Sequence, residues 1–88
     1  MSELTAEGTL TTSLINPNDQ FQVEFSKSDV SSLIGQKTWF TKAAENGRRS
    51  SSPVQATDGS SYIARAEVTD LECIKKEGDT ISMTIKPA

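Results

Sequence analysis

An 88-residue chain with nine cations, twelve acids and no histidine has room for one modest core, since a chain of this size buries only about 60 to 65 % of its unfolded surface. The missing imidazole excludes Ser-His-Asp and Cys-His catalysis, His-ligated metals and a histidine proton shuttle, and the lone Cys73 excludes an internal disulfide and a cysteine-only zinc site. A net charge of −3 and a pI near 4.8 argue against a uniformly basic nucleic-acid binder.

In residues 9–15, Leu10, Thr12 and Leu14 share one face, and Asn16, Pro17, Asn18 and Asp19 follow as four turn formers, a pattern that predicts a first hairpin. Leu4, Ala6 and Gly8 extend its first strand, with Gly8 as a bulge or bend. Phe21, Val23 and Phe25 then alternate with Gln22 and Glu24, which is the period of a strand with one face in the core and one in water. Near the other end, Ile81, Met83 and Ile85 alternate with Ser82 and Thr84 in the same way.

Between these strands Ser28 offers an N-cap, Val30, Leu33 and Ile34 fall at i, i+3 and i+4, and Gly35 suits a helix end, so one to two turns of helix are expected over 28–34 as a plug on an open end of the fold. Residues 36–41 return to strand character. Trp39 and Phe40 are adjacent there and must point to opposite faces, so one ring leaves the core. Residues 45–59 contain Asn46-Gly47, Arg48-Arg49, three serines, Pro53 and Asp58-Gly59, with Val54 the one large apolar side chain, and read as a protruding loop or a β-ribbon arm.

Beyond Ser61, Tyr62, Ala64, Ala66 and Val68 alternate with Ile63, Arg65, Glu67 and Thr69. A helix would align Ile63, Ala66, Asp70 and Ile74, but Asp70 breaks that stripe and the β-branched and aromatic content favours a strand. Lys76, Glu77, Gly78 and Asp79 form a turn into the last strand. The expected fold is all-β: residues 1–88 as a single small domain, a barrel or sandwich of five to six short antiparallel strands with one short helix. No motif assigns the chain to a family.

Charge is distributed unevenly along this fold. Residues 35–65 carry Lys37, Lys42, Arg48, Arg49 and Arg65 against Glu45 and Asp58, a local charge of +3, while residues 1–34 carry −4 and residues 66–88 carry −2. Trp39, Phe40 and Tyr62 lie in the basic part. Cations interleaved with aromatic faces are what an anionic, flat-faced ligand requires, so Lys37, Trp39, Phe40, Lys42, Arg48, Arg49, Tyr62 and Arg65 form the candidate binding set and single-stranded nucleic acid the leading ligand. The alternatives are a small structural or assembly protein of viral or phage type, and a protein–protein adaptor or inhibitor.

No phosphate loop, calcium loop or nucleophile elbow is present, so no enzymatic activity, no cofactor and no metal is expected. Arg48-Arg49-Ser50-Ser51 matches a short basophilic-kinase pattern, Glu67, Asp70, Glu72, Glu77 and Asp79 read as a solvated acidic edge, and Cys73 reads as an inert thiol. The first residues lack the basic start and apolar block of a secretory signal, and no apolar run approaches a membrane span, so an intracellular protein is expected. A small domain with no bridge and with free strand edges is expected to pair with a second copy as a homodimer.

Overall fold

The computed structural model describes residues 3–11, 20–41, 49–67 and 79–88. Among these residues six strands form one antiparallel sheet: β1 (Leu4–Leu10), β2 (Gln20–Ser28), β3 (Lys37–Thr41), β4 (Arg49–Gln55), β5 (Ser61–Glu67) and β6 (Thr80–Pro87). Their order is β3-β2-β1-β6-β5-β4. The two outer strands, β3 and β4, curl towards each other, so the sheet becomes a nearly closed barrel. The all-β expectation holds.

The inside of the barrel is built by period-two alternation. Phe21, Val23 and Phe25 of β2 and Ile81, Met83 and Ile85 of β6 are all buried, while Gln22, Glu24, Ser82 and Thr84 retain solvent contact. Phe21 pairs with Phe40 across β2 and β3, and their rings stack with centroids 5.7 Å apart. Ala64 and Ala66 supply the thin inward side of β5. Burying each large apolar side chain contributes about 1.5–3 kcal/mol, so these few residues carry most of the stability of the fold.

Gly8 lies where the register between β1 and β2 shifts. Glu7 pairs with Lys27 and Gly8 with Phe25, which leaves Ser26 as the extra residue of a bulge on β2. A Cβ at position 8 would fall inside the contact distance of both Met83 Cε and Val23 Cγ1, so β1 can carry no side chain at this point of the interior.

The helix expected over 28–34 is a single 3-10 turn, Ser31–Leu33. Ser28 does act near its start, accepting the Val30 amide at 3.0 Å. The turn ends early because the chain rejoins β2 at once: Gly35, at φ +89°, donates to the Phe25 carbonyl, and the Phe25 amide donates to Gln36. A 3-10 turn repeats every three residues, so the i, i+3, i+4 stripe is not preserved. Leu33 is fully buried and plugs the barrel, Val30 packs against the core, and Ile34 is left 50 % exposed.

The larger departure concerns residues 49–59, the described part of the stretch expected to form a loop or β-arm over 45–59. Arg49–Gln55 is strand β4, paired along its length with β5 through a turn at Ala56 to Ser60, and it does not project as an arm. In that turn Asp58 Oδ1 accepts the Ser60 amide at 2.9 Å, and this hydrogen bond, the largest influence on the group, holds the Asp58 carboxyl below its ordinary value. Ser50, Ser52 and Val54 point into the barrel. Two of these three inward residues are hydroxyls, so the apolar alternation that reveals a strand is missing from the sequence. The turns expected at 16–19 and 76–78, and Cys73, lie outside the described residues.

Those hydroxyls close the barrel. Thr38 of β3 and Ser52 of β4 are both buried and their side-chain oxygens meet at 2.5 Å, while the Thr41 amide donates to Ser50 Oγ at 2.9 Å. Side chains thus do at this seam what a backbone ladder does between the other neighbours.

Two stability measurements follow. Gly8→Ala is expected to cost about 1–3 kcal/mol in urea unfolding through overpacking against Val23 and Met83; an unchanged midpoint would contradict the close approach. At the seam, Thr38→Val and Ser52→Ala should each cost about 1–3 kcal/mol by stranding a buried hydroxyl, and the double variant should cost clearly less than their sum. Strict additivity would mean that the two hydroxyls do not interact.

Candidate functional site

The seam also sets which outward residues become neighbours. Thr38 meets Ser52 and Thr41 meets Ser50, so an antiparallel alignment places Trp39 level with Ser51 and Lys37 level with Pro53. On the next strand Ser51 pairs with Arg65 and Pro53 with Ile63. Two outward rows therefore cross β3, β4 and β5: Trp39, Ser51 and Arg65 in one, Lys37, Pro53 and Ile63 in the other. With laddered strands about 4.8 Å apart, and β3 and β4 bridged by side chains, each row spans at least roughly 10 Å of curved surface.

Trp39 is the centre of this band. It is 52 % exposed although it sits in the middle of a strand, and its cross-strand partner is Gln22. Lys37 and Thr41, two residues away on the same strand, are exposed on the same side. Around the ring are therefore an ammonium group, an amide and two hydroxyls. Leaving an indole face in water forgoes the burial that an aromatic normally gains, and a flat ligand would recover it.

The band does not take in every residue of the candidate set. Phe40 is 1 % exposed and belongs to the core, so of the two adjacent rings it is Trp39 that is free. Tyr62 is partly buried and packs against the core from the inward side of β5. Its place in the alternation with Ala64 and Ala66 already indicated this. Arg49 is the first residue of β4 and pairs with Glu67 of β5. Lys42 and Arg48 lie outside the described residues.

Two residues that sequence reasoning missed lie on the band or at its border. Ser51 connects Trp39 to Arg65, and Lys86 of β6 pairs with Ile63. Lys86 falls in a segment of net negative charge, so a segment-by-segment charge count hides it; strand register reveals it.

Acids bracket the band. Glu24 of β2 pairs with Lys37, and Glu3 shares a small hollow with Ile63, Arg65, Thr84 and Lys86. Glu7 is exposed on β1, the strand that lies opposite β4 in the ring order. A larger groove of about 810 Å³ runs over β1 and β6, lined by Glu3, Glu7 and Asp29, by Lys27 and Arg65, and by the hydroxyls of Thr5, Ser82 and Thr84. Mixed charge and the absence of an aromatic among its described residues make it a poorer match to a stacked anionic ligand than the band. Among the described residues no helix is long and apolar enough to cross a membrane.

Comparison with protein-family models, with curated proteins and with solved structures found no match to this chain.

Trp39 is the only tryptophan, so its emission reports this position alone. Acrylamide should quench it in the folded protein nearly as well as in urea. A native emission protected from the quencher would place the ring in a buried environment and remove the band's central residue.

Proposed function

We propose that this chain is a non-catalytic binding module that holds single-stranded nucleic acid on the band formed by β3, β4 and β5. The observation that carries the reading is the exposed indole of Trp39 in mid-strand, with Lys37 beside it and Arg65 one row-length away. Trp39 stacks on a base, and the two cations meet phosphates. Base stacking on an aromatic is worth about 1–3 kcal/mol, and each phosphate contact adds a salt-dependent term. A duplex hides its base faces in its own stack and is bound less well by such a surface.

The whole-chain charge of −3 does not oppose this reading as strongly as it first does. Glu7 and Asp29 line the large groove on the β1 side of the barrel, while Glu3 and Arg65 stand where that groove borders the band. A bipolar molecule of this kind turns its basic side to the strand and its acidic side to solvent.

Assembly is the second reading, and it draws on the same exposure: Trp39 and Ile34 are the two large apolar residues left half in water among those described. Under it, a second copy or another protein covers the ring.

Titration of oligo-dT into the protein, followed by Trp39 quenching at about 50 and 200 mM salt, tests the first reading. Quenching should saturate and weaken as salt rises. Trp39→Ala, followed by the anisotropy of a labelled oligonucleotide, should lose about fivefold to 150-fold in affinity with little change in salt dependence. Failure to bind single-stranded DNA or RNA at about 50 mM salt, where the electrostatic contribution is large, would reject the reading in favour of assembly, for which a mass that rises with concentration is the expected result.

A further inference from the structure

We infer that the ligand is a short unpaired stretch of about three nucleotides that crosses β3, β4 and β5 rather than running along one of them, an inference that rests on the nucleic-acid reading above.

The direction follows from where the chemistry lies. A strand running lengthwise along β3 would meet Trp39 and Lys37, then leave the described cations behind. One running along β4 would pass Ser51, Pro53 and Gln55 with no aromatic among them, and Arg49 at the start of that strand pairs with Glu67. One following β5 would meet Arg65 with no aromatic on the outward side. Only a path across the strands joins the exposed ring to both Lys37 and Arg65, over an uncharged floor of Ser51, Pro53 and Ile63.

The length follows from where the path ends. On the β2 side Glu24 pairs with Lys37, and on the β6 side Glu3 stands in the hollow with Arg65 and Lys86. A phosphate carried past either carboxylate meets like charge. From Lys37 on β3 to Arg65 on β5 the surface covers two strand spacings, at least about 10 Å because side chains bridge the β3–β4 seam. At a rise of about 3.4 Å per nucleotide in a stacked strand, that accommodates about three nucleotides. One base stacks on Trp39, and two phosphates face Lys37 and Arg65. The ligand class is thus a gap, loop or overhang, not a long strand coated continuously.

A length series tests this with the unmodified chain: dT2, dT3, dT4, dT6 and dT12, followed by Trp39 quenching and by salt titration. Affinity should climb to dT3 or dT4 and thereafter rise only in proportion to the number of registers available. The slope of log K against log salt should settle at about −1.4 for dT4 and dT12 alike, two phosphates at about −0.7 each. Glu3→Gln or Glu24→Gln should lengthen the footprint, strengthening dT6 relative to dT3. Affinity and salt slope that continue to grow from dT4 to dT12, with Trp39 still quenched, would overturn the short crossing path and leave the nucleic-acid reading standing. Absence of quenching with every oligonucleotide at about 50 mM salt would instead reject that reading, and this inference with it.

Discussion

Thr38 and Ser52 meet inside the barrel where the first and last strands of the sheet come together, and the exterior depends on that contact. A sheet whose outer strands were held apart would leave Trp39 on a free edge, far from any residue of β4 or β5. Because two buried hydroxyls satisfy each other, the edges can approach without an orphaned polar group in the core. The chain then presents Trp39, Ser51 and Arg65 as neighbours although they come from three separate segments. The polar closure inside and the candidate site outside are two faces of the same seam.

The parts of the fold that were legible in the sequence are those whose inward residues are apolar. Phe21, Val23 and Phe25, and Ile81, Met83 and Ile85, announce their strands because alternation and burial coincide. The adjacency of Trp39 and Phe40 was equally informative: a strand sends neighbours to opposite sides, and the structure leaves one ring out and one in. Gly8 was recognisable as an irregularity, although not as the point where Val23 and Met83 fill the space of a side chain. Strand β4 was not legible, because Ser50 and Ser52 face inward and read as loop residues unless their partners, Thr41 and Thr38, are known. That pairing is a property of closure, and no local pattern encodes it.

The site was legible in composition and not in arrangement. Counting charge along the chain found Lys37 and Arg65 but grouped with them Tyr62, which packs against the core, and omitted Lys86, which register brings to Ile63. The acidic balance of the chain became interpretable only with the strand order, which sets β1 and its Glu7 opposite β4. A small barrel with a basic, aromatic side and an acidic one can bind a polyanion weakly and locally without the strongly basic composition of a protein that coats long strands.

The central geometric proposal is that a ligand strand lies across the seam over β3, β4 and β5. Amide chemical-shift mapping with dT4 on the isotope-labelled protein tests it most directly. The expected shifts gather at Lys37, Trp39 and Ser51, on the seam side of the barrel, and leave the outward amides of β1 unmoved. Shifts gathered instead at Thr5, Glu7 and Ser82, in the groove over β1 and β6, would contradict it.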